Sequence, residues 1–156
     1  MNAVPASTPG RIDTPVLFAV FNRPEQTRRV FEAIRAAQPK YLFVTADGPR
    51  AHVPEDAVRC VETRRIATAV DWDCQVVTRF SPTNLGVKQA LSAGISWFFE
   101  QVEEGIILED DCLPDATFFG FCAELLARYR NDDRIMQISG SNFLPAGTIT
   151  PEYSYY

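Results

Sequence analysis

Histidine occurs once in the 156 residues, at His52, in a loop-like stretch with no ligand-type neighbour, so imidazole general-base chemistry has no natural seat in this chain. No G-x-G-x-x-G follows any strand-like run, which speaks against a dinucleotide-dependent redox enzyme. Cys60, Cys74, Cys112 and Cys122 form no C-x-x-C pair and no zinc-type spacing. They read as reduced thiols of an intracellular chain, and the expected location is the cytoplasm, including the cytoplasmic face of a membrane. No apolar run approaches the length of a membrane span, so no transmembrane segment is expected. The opening "MNAVPASTPGRIDTP" has no apolar h-region and reads as a flexible leader over residues 1–14. A basic stripe is missing too: 15 Lys and Arg stand against 20 Asp and Glu, a net charge of -5, so nucleic acid is not an expected partner.

What the chain does have is apolar material, 46% of its residues, enough for the core of one domain or of part of a larger one. Apolar runs of strand length alternate with stretches of helical period. "VLFAVF" (16–21) reads as a strand buried on both faces, followed by a helix that opens at Pro24, carries Val30, Ile34 and Ala37 on one stripe and stops at Pro39. "YLFVTADGP" gives a second strand, and 54–70 a helix with acidic residues in its first turn. "CQVVTRF" gives a third strand. A helix follows it with Val87, Leu91, Ile95, Phe98, Phe99 and Val102 on one face and Gly105 as terminator. "GIILED" is the fourth strand, Asp115 a candidate cap for a helix bearing Phe118, Cys122, Leu125, Leu126 and Tyr129, and "RIMQIS" a fifth strand. This order predicts an α/β domain with a mainly parallel sheet and helices on both faces.

In such sheets ligands bind beyond the carboxyl ends of the strands. The residues there are polar throughout: Asn22 and Arg23, Asp47 and Gly48, Ser81 to Asn84, Glu109 to Asp111, and Ser139 to Asn142. The carboxylate triplet Glu109, Asp110 and Asp111 stands out. In an extended chain Glu109 and Asp111 share a side while Asp110 faces the other way. Close carboxylates repel, and one protonates unless a cation or a donor compensates. A hard divalent cation, magnesium or manganese, suits such oxygen ligands and leaves room for substrate phosphate; a solvated acidic turn ahead of a helix is the competing reading.

The blocks "PVLFAVFNRP", "YLFVTADGP", "NLGVKQALSAGISWFF" and "GIILEDDCLPDATFFGF", in that order, resemble the nucleotide-sugar-binding half of GT-A glycosyltransferases. Among them the resemblance is to the alpha-1,3-mannosyl-glycoprotein beta-1,2-N-acetylglucosaminyltransferase type, with its E-D-D form of the D-x-D motif, and to bacterial relatives. It covers residues 15–143 and implies a Rossmann-like nucleotide-diphospho-sugar transferase fold. It further implies that Asp111 ligates Mn2+ or Mg2+, Asp110 meets the ribose, Glu109 is an accessory acid, Arg23 lies near the diphosphate and Asp47 accepts a hydrogen bond from uracil. Lys88, at the start of a helix in the loosely matching "NLGVK" block, is either a phosphate contact or an exposed lysine. Phe21 and Asn22 stand where relatives vary.

The expected partners are then a nucleoside diphosphate sugar, with uridine the favoured base, and a glycan or other hydroxyl acceptor. The catalytic base of such enzymes lies beyond the fifth strand, so 144–156 reads as the start of a C-terminal half, and a partner half or a homo-oligomer is expected. Two other readings stay open: a binding-only donor domain, and a magnesium-dependent receiver domain. The receiver wants an acidic pair after the first strand, where this chain has Asn22 and Arg23.

Overall fold

The computed structural model describes residues 11–140. The order of elements is β1 (Val16–Val20), α1 (Pro24–Ala37), β2 (Tyr41–Ala46), α2 (Pro54–Ala67), β3 (Gln75–Phe80), α3 (Val87–Phe99), β4 (Ile106–Glu109) and α4 (Phe118–Tyr129). The strands form one parallel sheet in the order β3-β2-β1-β4, with Val16 opposite both Leu42 and Ile106. This is the expected Rossmann-like α/β architecture.

Pleating sends alternate strand residues to opposite faces, and helices lie on both, although Ile107 of β4 stays exposed on the α3 face. On one, Val16, Phe18, Val20, Leu42, Val44, Ile106 and Leu108 meet α1, α2 and α4 through Val30, Phe31, Ile34, Ile66, Phe119 and Cys122. On the other, Leu17 and Phe43 meet Phe98 of α3. Right-handed crossovers impose this division: two outward steps from β1 to β3 put α1 and α2 on one side, and the return to β4 puts α3 on the other. α3 approaches closely because Gly94 has no side chain; a Cβ there would lie 2.7 Å from Thr45 Cγ2. Phe43 packs edge-on against Phe98, with ring centroids 5.0 Å apart.

Several expectations change. "RIMQIS" forms no strand: Ile135 and Met136 are exposed, and Ile135 N–H donates to Asp132 O in a turn. A strand-like pattern needs a neighbour for its backbone groups, and among the described residues this stretch has no ladder partner. Val87 and Phe99 are also exposed, while Gly94 and Phe98 are the buried residues of α3 and Ile95 and Trp97 pack beside them. Asp115 does not cap α4 directly. Its carboxylate accepts from Thr117 N–H and Oγ1, shaping the turn before Phe118. Within the stretch read as a leader, Ile12 exchanges backbone bonds with Ala37 and Lys40. Trp72, without a role in the sequence reading, donates its indole N–H to Pro39 O and packs on Phe31. The expected tail at 144–156, and Asn142, lie outside the described residues.

Phe98 is fully buried and its neighbour Phe99 is 45% exposed. Phe98→Ala is expected to cost about 3–5 kcal/mol and Phe99→Ala about 1 kcal/mol or less, read from urea midpoints at unchanged slope. Equal costs would contradict the packing of α3.

Candidate ligand site at the carboxyl edge of the sheet

The chain leaves β1 toward β2 and β3, then returns to the far side of β1 as β4. Strand order therefore reverses between β1 and β4, the kind of point beyond whose carboxyl ends ligands bind in open α/β sheets. Arg23 stands at its β1 side, just ahead of Pro24 in the first position of α1. The triplet stands at its β4 side.

β4 ends at Glu109, opposite Ala19, and the chain turns at once: Cys112 N–H donates to Glu109 O at 3.1 Å. This turn breaks the strand alternation. The expected pairing of Glu109 with Asp111 is replaced by that of Asp110 with Asp111, both of which accept from Arg23 Nη1, at 3.1 and 2.6 Å. Asp110 is buried and also accepts from Phe21 N–H at 3.1 Å. Burial raises its carboxyl pKa, with the Phe21 N–H and the Arg23 charge opposing that rise. The Asp110 carboxylate, with Asp111, in turn raises the Arg23 guanidinium. Glu109 is exposed. One guanidinium thus faces two carboxylates, leaving negative charge in excess.

Asp47, at the end of β2, is used differently. Its Oδ1 accepts from Gly48 and Leu85 N–H, both at 2.8 Å, and its Oδ2 from Asn84 Nδ2 at 2.9 Å and Gly86 N–H at 3.0 Å. Three of these four bonds hold the loop before α3, where Gly86 supplies the positive φ of 80° that glycine adopts without strain. Gly48 lets this loop approach, since a Cβ there would lie 2.4 Å from the Thr83 carbonyl carbon. Lys88 is exposed on the first turn of α3 and is not among the groups that contact Arg23, Asp110 or Asp111.

Three residues that the sequence reading did not single out complete the rim. Asp56, buried in the first turn of α2, accepts from Asn22 Nδ2 at 2.7 Å and from Arg50 through its backbone N–H, Nε and Nη2 at 3.2, 2.6 and 3.0 Å. The Arg50 fork holds the Asp56 carboxyl below the usual carboxylate range. Arg50 also lies over the Phe21 ring, 5.5 Å from its centroid. Arg64 of α2 donates from Nη2 to the carbonyls of Asp47 and Ser81, tying the ends of β2 and β3. The only sequence signal for these was an acid in a helix's first turn six residues after an arginine.

Among the described residues no three His, Cys, Asp or Glu side chains converge as a preformed metal cage. A hard cation on Asp111 fits the excess negative charge, provided that water or substrate oxygens supply most of its ligands, as magnesium and manganese accept. All four cysteines are free. No helix among the described residues is long and apolar enough to cross a membrane. Compared against protein-family models and against curated proteins, the chain finds no match.

Because the folded pKa of Asp56 lies below its unfolded value of about 3.9, its ionised form stabilises the fold above that pH and loses this effect as pH falls through the folded value. Asp56→Asn is expected to melt lower than the parent at pH 7, with the gap narrowing below about pH 4. Thermal melts from pH 7 to pH 2 test this; a gap independent of pH would contradict it.

Proposed function

We propose that this domain binds a nucleoside diphosphate sugar together with a divalent cation held by Asp111, as the donor-binding part of a GT-A-type glycosyltransferase. The observation that carries the reading is the meeting of Arg23, Asp110 and Asp111 beyond the carboxyl ends of β1 and β4, at the point where strand order reverses. The resemblance of the four sequence blocks supports it independently.

The reading gives each of these residues a role. Arg23 is half exposed and carries charge-assisted bonds that diphosphate oxygens can accept in place of Asp111. That exchange frees Asp111, itself half exposed, for the cation. Asp110 stays fixed by Phe21 N–H and presents a carboxylate to the ribose hydroxyls. Bound there, magnesium or manganese supplies compensation for charge on a departing diphosphate. Asp47 serves as a clamp on the rim; reading uracil with its carboxylate would require giving up a bond to the loop at Asn84–Gly86. No general base for an acceptor hydroxyl is assigned among the described residues.

Uridine diphosphate with Mn2+ is the first ligand to test. At about a hundred times its dissociation constant it is expected to add roughly 2.7 kcal/mol of stability. A chelator should abolish that gain, and Asp111→Asn should lose its metal-dependent part. Equal thermal shifts with and without chelator would contradict the role of the cation.

A further inference from the structure

We propose that the outward face of α2 is where a second copy of this chain docks, as an antiparallel α2–α2 pair centred on Val58 and Val61. The inference is independent of the donor-binding reading above and concerns a different face of the domain.

α2 is the last helix on its side of the sheet. β3 beneath that flank is an edge strand, and α1 lies along the other flank, where Asn22 reaches Asp56 and Arg28 stands 3.5 Å from Glu62. The inward residues of α2 are used by the fold: Asp56, Cys60, Thr63, Ile66 and Ala67 are buried. On the outward side Val58 is 74% and Val61 66% exposed. A β-branched residue gives up side-chain freedom in a helix and offsets that loss by packing, yet these two valines bury little against the described residues. Pro54, Val58, Val61 and Arg65, all exposed, recur at spacings of four, three and four residues, which is the seam of a helix that packs along another helix.

The ends of that seam decide the occupant. α2 carries Glu55 in its first turn and Arg65 in its last. Those charges also suit the helix's own dipole, so the valines single out the face and the charges select what covers it. A second α2 running antiparallel across a two-fold axis sets Val58 of each copy against Val61 of the other and brings Arg65 of each alongside Glu55 of the other. A parallel pair would set like charges together. Within one chain Glu55 holds no partner among the described residues, and Arg65 directs its fork at Glu62, an exposed pair at 2.7 and 2.8 Å. Exposed pairs of that kind contribute little, so Arg65 exchanges its partner at small cost. A seam of about three turns buries less than the roughly 800 Å2 per partner of a standard interface, so the pair is weak, with a dissociation constant on the order of 10–100 µM.

Sedimentation equilibrium of the full chain in reducing buffer, from about one-tenth to ten times that constant, tests the proposal. The parent is compared with Val58→Glu, with Arg65→Glu, and with Glu55→Arg and Arg65→Glu combined. The average mass of the parent should rise from one chain toward two with concentration. Val58→Glu places carboxylates at the centre of the seam and should weaken association at least about ten-fold, while its melting temperature at low concentration stays with the parent because the site is exposed. Arg65→Glu should weaken association roughly five- to thirty-fold, and the combined exchange, which restores opposite charges at both ends, should return it to within about three-fold of the parent. A mass of one chain at every concentration would overturn the proposal, whether that face is bare or covered by something else. Association untouched by Val58→Glu would overturn it as well, and association lost in Arg65→Glu without recovery in the combined exchange would overturn the antiparallel pairing.

Discussion

One guanidinium facing two carboxylates governs the carboxyl edge of this sheet. Arg23 follows β1, Asp110 and Asp111 follow β4, and the two strands are neighbours only because the chain returned across the sheet. The turn that ends β4 at Glu109 gives both aspartates access to the same Nη1. Burial alone would push Asp110 toward its neutral form; Phe21 N–H and Arg23 oppose that. The arrangement is still short of one positive charge, and the proposal that a cation and an anionic ligand arrive together rests on that shortage.

Buried carboxylates recur around this edge, and their saturation separates scaffold from site. Asp47 accepts four donors and locks β2 to the loop before α3. Asp56 accepts four donors and locks β1 and the loop after β2 to α2. Fully satisfied buried polar networks make the backbone around them rigid. Asp110 and Asp111 share a half-exposed arginine instead, so their bonds are open to exchange with a ligand. A rigid rim around an exchangeable pair is what a site needs if binding is to spend little on ordering.

The sheet was legible because each strand is a short apolar run, and "VLFAV" and "YLFVTA" can be buried on both faces of a parallel sheet. α1 and α3 were legible from their stripes, though these did not show that Val87 and Phe99 are exposed. "RIMQIS" misled because alternation records a preference for a strand and not the presence of a neighbour. In the site, the strand-end positions of Arg23, Asp47 and the triplet could be read directly. Which carboxylates pair could not, because a turn at Glu109–Cys112 cancels the alternation on which that inference rested. Arg50 and Arg64 escaped notice for a related reason: long flexible side chains that bond across loops leave no period in a sequence.

The account stands on the claim that Asp111 binds a divalent cation only in company with a diphosphate, since the protein offers it too few ligands alone. Electron paramagnetic resonance of Mn2+ titrated with this chain, with and without uridine diphosphate, measures this directly once the manganese–nucleotide complex itself is subtracted. The account predicts weak capture of manganese by the protein alone and at least about ten-fold tighter capture when the nucleotide is present, a coupling of ordinary size for two ligands sharing one site. Manganese bound equally well with and without the nucleotide, or bound undiminished by Asp111→Asn, would contradict it.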